Sequence, residues 1–112
     1  MAAMRILTTA PSHATGEVVL SVVGELDMAS VADLRAAIRG ALSIPGGPIV
    51  LDCSRLTFID AAGLGALVTF ANQARDVERL AVLRNTSASM QQVLRITGLG
   101  ERFDAGMAGI AV

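Results

Sequence analysis

An α/β domain with a partly parallel sheet is the fold class that the sequence predicts. Two apolar runs, Ile49 to Cys53 and Leu80 to Leu83, are too uniformly hydrophobic for a strand with one wet face, and read as strands inside a covered sheet. Around them, apolar residues recur at helical spacing. Strand–helix–strand–helix–strand order requires parallel pairing through right-handed crossovers, with an antiparallel hairpin in front.

The elements follow in chain order. Two β-type runs come first, Met4 to Thr9 and Glu17 to Val23, joined by Pro11-Ser12-His13-Ala14-Thr15-Gly16, a short loop suited to a hairpin. Met28, Val31, Leu34, Ile38 and Leu42 then mark a first helix, with Arg35 and Arg39 on another face and Asp27 or Ser30 as its cap. Pro45-Gly46-Gly47-Pro48 ends that unit. After the strand Ile49 to Cys53, the chain passes through an apolar loop to Asp60, an acidic N-cap. The second helix carries Leu64, Leu67, Val68 and Ala71 inward and reaches to about Arg75. Ser87 or Ser89 caps a third helix with Met90, Val93 and Leu94 on one face, and Gly98 fits its C-terminal stop. Arg102-Phe103 is the expected last short strand. The tail, residues 104–112, holds two glycines that weaken any helix by about 1 kcal/mol each, so a frayed or packed-down end is expected.

Length and charge narrow the function. The 112 residues suit one domain, with its core at about residues 4–103. A net charge of −1 gives no electrostatic reason to bind nucleic acid, and three Phe without Trp or Tyr offer no base-stacking platform. The longest uncharged run, Ala61 to Ala74, is broken by glycines and by Thr69, Asn72 and Gln73, so no membrane insertion is expected. Met1 to Arg5 lacks a basic region followed by an apolar core, which points to a cytoplasmic protein. Cys53, the sole cysteine, sits in a strand-like run and reads as a small buried hydrophobe.

Few residues could carry chemistry. The crossovers put the ends of the second and third strands on one edge of the sheet, so Asp27 and Asp60, each just before a helix, lie near one another. Converging carboxylates can do acid–base work or hold a metal. They can equally cap helices, each worth about 1 kcal/mol, and capping is the preferred reading. No other His, Cys or carboxylate is placed to complete a metal shell, and His13 belongs to a solvated loop. No Ser or Cys has a histidine partner for nucleophilic catalysis. Gly63 and Gly65 form a Gly-x-Gly without the third glycine of a dinucleotide fingerprint or the Lys-Ser/Thr of a P-loop. In a first helical turn they bare the backbone to close approach by another molecule, and Leu64 between them reads as core. The helix start itself, with its unpaired N–H groups, is a natural place to read an anion. Neither enzyme activity nor a cofactor nor a metal is expected.

Three segments carry a resemblance that covers Met4 to Phe103. They are Gly24-Glu25-Leu26-Asp27 with Val31 and Leu34-Arg35; Leu51-Asp52 through Phe58-Ile59-Asp60 to Gly63-Leu64-Gly65; and Val93-Leu94 with Thr97-Gly98-Leu99. In this order and spacing the chain resembles the STAS-domain family, specifically bacterial anti-sigma-factor antagonists. The resemblance implies a mixed sheet of four or five strands with helices packed mainly on one face. It implies a partner, an anti-sigma factor with a histidine-kinase-like ATPase fold, docking on Asp27, Asp60, Ala61, Ala62, Gly63, Leu64 and Gly65. It also implies a phospho-acceptor serine immediately before the glycine, where a dianion placed in a packed interface would end binding.

Here that position is Ala62, preceded by Ala61, and neither accepts a phosphoryl group. Thr57 is the nearest alternative hydroxyl, with a structural role favoured for it. The expected protein is therefore an antagonist without the usual off-switch. Two other readings follow from the same segments: a STAS accessory subunit of an ABC-type transporter, and a nucleotide- or small-molecule-sensing module. For the first reading, Gly63→Arg is expected to abolish docking while leaving the fold largely intact.

Overall fold

The computed structural model describes residues 4–9 and 11–103. Four strands form one mixed sheet in the order β1-β2-β3-β4: β1 Arg5–Thr8, β2 Val18–Leu26, β3 Ile49–Ile59 and β4 Ala81–Arg84. β1 runs antiparallel to β2, while β2–β3 and β3–β4 are parallel. The helices α1 (Val31–Leu42), α2 (Ala61–Asp76) and α3 (Ala88–Thr97) supply the crossovers, and a 3-10 turn spans Leu99–Arg102. This is the expected α/β class and sheet.

One apolar layer unites the elements. Val18, Leu20 and Val22 of β2, Ile49, Leu51 and Cys53 of β3, and Ala81 and Leu83 of β4 share the period-2 face on which Leu34 and Ile38 of α1, Leu67 and Phe70 of α2, and Met90 and Leu94 of α3 pack. Phe70 is fully buried and meets Phe103 with ring centroids 6.2 Å apart. On the opposite face Val50 is also fully buried, in the row it shares with Val19 and Val82. Arg84 leaves β4 in the next same-facing row and reaches back to Glu17, so its side chain crosses that row.

Cation and turn chemistry close the bottom of the domain. Arg79 donates from Nε to the Gly47 carbonyl at 2.8 Å and from Nη1 to the Ile44 carbonyl at 2.8 Å. A cation therefore sits where α1 ends and its carbonyls lack helical partners. Gly98 caps α3 at φ +73°, the left-handed conformation that favours glycine.

Several sequence expectations need correction. β2 continues to Leu26 and β3 to Ile59, so Leu56 to Ile59 is strand rather than loop. β4 begins at Ala81, leaving Leu80 half-exposed outside it. Arg102 belongs to the 3-10 turn and Phe103 follows it, with no fifth strand among the described residues. The tail expectation, on residues 104–112, lies outside the described residues.

Candidate functional site

The long β3 builds the site, because its register is broken twice. Ser21 faces Asp52 but Val23 faces Arg55, and Gly24 faces Leu56 but Glu25 faces Phe58. Each shift is a bulge with one extra residue on β3. After Cys53, the side chains that pack on the core are therefore Leu56 and Ile59, spaced by three rather than two. Phe58 is thrown outward and is 50% exposed. Thr57 occupies the second bulge, where its hydroxyl donates to the Gly24 carbonyl at 3.1 Å. Gly24 itself has φ +107°, so the Gly24-Glu25-Leu26-Asp27 segment needs a glycine there.

Asp27 and Asp60 are brought to one edge, as expected, and each accepts hydrogen bonds from two backbone N–H groups. The Asp27 Oδ1 accepts from the N–H of Ala29 at 3.0 Å and of Ser30 at 3.1 Å. Ser30, the cap residue of α1, accepts from the Asp27 N–H at 3.0 Å and donates to the Glu25 carbonyl at 2.8 Å. Asp27 and Ser30 thus share the work of closing the turn before α1. Asp60 caps α2: its Oδ1 accepts from the Gly63 N–H at 3.0 Å, and its Oδ2 accepts from the Met28 N–H at 3.3 Å. One carboxylate therefore ties the start of α2 to the β2–α1 turn.

This turn also relocates Met28. The sequence spacing puts Met28 on the buried stripe of α1, but the helix begins at Val31 and Met28 is 80% exposed. The signal that would have found it is the Asp27-x-x-Ser30 pair, which closes a turn and leaves the two residues between exposed. Phe58 left no comparable trace, since bulges do not show in an apolar run. Both residues are additions to the candidate site.

The first turn of α2 is uncharged. Ala61 and Gly65 are exposed, while Ala62 and Leu64 are half-buried, with Leu64 packed against the core. A Cβ on Gly65 would meet nothing within 4 Å, in keeping with a backbone open to approach. Gly63 is different. A Cβ there would lie 2.7 Å from Ile59 Cγ1, 2.8 Å from the Leu26 carbonyl oxygen and 2.9 Å from Leu26 Cγ. Gly63 is buried and faces the sheet, so Gly63→Arg would disrupt the fold rather than test docking.

Other candidates fall to structural roles. Cys53 is buried, and burial, with the Asp52 charge adding to it, pushes its thiol up to about 12. Among the described residues, no cluster of three His, Cys, Asp or Glu side chains is placed to hold a metal ion, and no helix is long and apolar enough to cross a membrane.

Comparison with known proteins agrees with this architecture. A family model described as the Mlab, STAS domain matches residues 9–108. An anti-sigma F factor antagonist of Lysinibacillus sphaericus is 32% identical over 85 residues, covering 74% of this chain and 72% of its own. The phosphorylated form of the Bacillus cell fate determinant SpoIIAA superposes with TM-score 0.66 at 27% identity, over 88% of this chain and 86% of that one. An anti-sigma factor antagonist from Mycobacterium paratuberculosis gives 0.73 at 25% identity, over 90% and 83%. With the family model spanning most of its length, this chain belongs to the STAS-domain family.

Proposed function

We propose that the chain is an antagonist-type binding module, cytoplasmic and non-catalytic, that docks a kinase-like anti-sigma factor on the edge formed by the β2–α1 turn and the start of α2. Docking there would release the sigma factor and so regulate transcription. The observation that carries this reading is two solvent-exposed apolar side chains next to an uncharged helix start: Met28, whose N–H bonds the cap Asp60, and Phe58, two residues before that cap. Apolar groups held out to water beside an open backbone are what a buried interface core requires. Ala61 and Ala62 add no charge to the first turn of α2 beside the Asp27 and Asp60 carboxylates, and neither provides a hydroxyl for phosphorylation. The surface would stay competent for binding wherever the protein is made.

The test is affinity capture from native lysate with identification of the bound protein, followed by titration with Met28→Glu. A kinase-like protein bound by wild type, and bound about tenfold or more weakly by Met28→Glu, is the expected result. Equal affinity for a folded Met28→Glu would overturn the placement of the edge. The missing acceptor also favours a second reading, an accessory subunit of an ATP-driven transporter. Recovery of a transporter ATPase in the same experiment would establish that reading instead.

A further inference from the structure

β3 runs for 11 residues, Ile49–Ile59, but β4 pairs with it only as far as Asp52. From Cys53 to Ile59 the strand is paired with β2 on one side and with no strand of the described residues on the other. Such an edge presents backbone N–H and C=O groups that another strand can take up. The space beside it is a half-open slot rather than a flat surface. A slot of about 200 Å³ lies there, walled by Cys53 and Phe58 of β3 and by Ser87, Ser89, Met90 and Val93 at the start of α3.

Size and chemistry limit what fits. Drug-sized ligands occupy pockets of roughly 300–1,000 Å³, so this slot is too small for one, but it admits one or two side chains of a thin segment. No ionised group lines it, so a charged side chain would be desolvated without a partner. A strand edge facing a helix start across an uncharged slot, lined by Leu56, Phe58, Met90 and Val93 with the hydroxyls of Thr57, Ser87 and Ser89 among them, matches the strand-addition mode of peptide recognition, where main-chain bonds give affinity and a pocket reads alternate side chains. Phe58 belongs to both the slot and the docking edge, and Ile59 leads directly into Asp60. The two surfaces are continuous.

We infer that the exposed edge of β3 is a second recognition site, which takes an extended, uncharged segment of the docking partner as an added strand between β3 and α3. The inference rests on the docking reading for the source of the segment, and not for the chemistry of the site.

The experiment is panning of the purified chain against phage-displayed random dodecapeptides, followed by amide chemical-shift mapping with the selected synthetic peptides. Selected sequences are expected to place β-branched or aromatic residues at alternate positions, and to shift the amides of Cys53 to Ile59 and of Ser87 to Val93. N-methylation of every second peptide bond should weaken binding about tenfold or more, because it removes ladder donors. Ser89→Trp, at an exposed position on the slot wall, should do the same. No selected peptide, or selected peptides indifferent to both changes, would overturn the inference. So would a concentration-dependent dimer in sedimentation whose interface protects the same amides, since a second copy would then be the occupant. Met28→Glu separates the two readings: it should leave peptide binding unchanged, whatever it does to capture of the larger partner.

Discussion

The Oδ2 oxygen of Asp60 accepts the backbone N–H of Met28 at 3.3 Å while its Oδ1 accepts that of Gly63 at 3.0 Å. One side chain therefore fixes the exposed Met28 relative to the first turn of α2. On the docking proposal, Asp60 would hold Met28 and the α2 start in register with one another. Asp60→Ala removes both bonds and the cap, and should lower stability by about 1–2 kcal/mol. Asp60→Asn keeps a single acceptor oxygen and cannot satisfy both N–H groups, so its loss should be smaller. In both variants, amide exchange at Met28 or Gly63 should accelerate more than at Leu67. Denaturant unfolding and hydrogen exchange read these two effects separately, and an unchanged exchange pattern in Asp60→Ala would count against the bridging role.

Gly63 and Gly65 are two residues apart and predict opposite signs. The Cβ of an alanine at 63 would press on the Leu26 carbonyl, which also accepts the Asp60 N–H at 3.2 Å. Backbone cannot yield there without loosening the joint between β2 and α2, so Gly63→Ala should cost about 1–3 kcal/mol as overpacking. An alanine at Gly65 meets open space on an exposed helix face, and should raise stability by roughly 0.5–1 kcal/mol through helix propensity. Gly40→Ala, also in open space on α1, is the control away from the site and should gain a similar amount. Thermal unfolding of the three variants checks the ordering. A neutral Gly63→Ala would mean that Leu26 and Ile59 can move aside.

The sheet should carry a modest acid sensitivity on its far side. Both guanidinium arms of Arg84 meet the Glu17 carboxylate, at 3.2 and 2.9 Å, and these bonds hold the Glu17 carboxyl below its ordinary value against the opposing effect of burial. Asp52 sits nearby. Burial pushes it up, but the Ser54 N–H, the Asn85 amide and the Arg84 charge together bring it below the usual carboxylate range. Both carboxyls thus release their protons more readily folded than unfolded. Their stabilisation is complete above the ordinary values of 4.5 and 3.8, and is lost as pH falls through the lower folded values. Since the Arg84 side chain is 41% exposed, the pair is screened, and its share is at most about 0.5–1 kcal/mol. Glu17→Gln should be less stable than wild type near neutral pH, with the gap closing below about pH 4. Urea unfolding at several pH values measures the gap, and a gap that widens on acidification would contradict the assignment.

The legible parts of this chain were those where local chemistry and global fold agree. The run Ile49 to Cys53 favours a buried strand and Asp60 before Ala61 favours a helix start, and the fold uses both preferences. Met28 was misread because its spacing to Val31 fits a helical stripe, while the Asp27 carboxylate holds a turn that spacing does not reveal. Phe58 was lost to two bulges, whose extra residues change which side chains face the core without changing the hydrophobic pattern. The role of Gly63 depends on a carbonyl from β2, far away in sequence, so composition alone suggested freedom where the fold allows none. The approach of Asp27 and Asp60 was readable, and the exposure of Met28 and Phe58 was not.

Restoring a hydroxyl at Ala62 should restore a switch. Ala62 is half-buried in the first turn of α2, where the N–H groups ahead of the Asp60-capped Gly63 lie at the positive end of the helix. Incubated with ATP and the captured kinase-like partner, Ala62→Ser should take up label and wild type should not. The Thr57 hydroxyl is already committed to the Gly24 carbonyl, so label on wild type at Thr57 would show a switch that this geometry does not provide. Phosphorylation should then move two quantities in opposite directions. A dianion at a helix start stabilises the folded chain by about 0.3–1 kcal/mol, so the unfolding temperature should rise slightly. The same dianion inside a packed apolar interface is desolvated and repels acidic groups, so affinity for the partner should fall about tenfold or more. A fall in both would indicate simple damage to the helix start, and only the divergence identifies Ala61-Ala62 as part of a docking surface that a further negative charge disrupts.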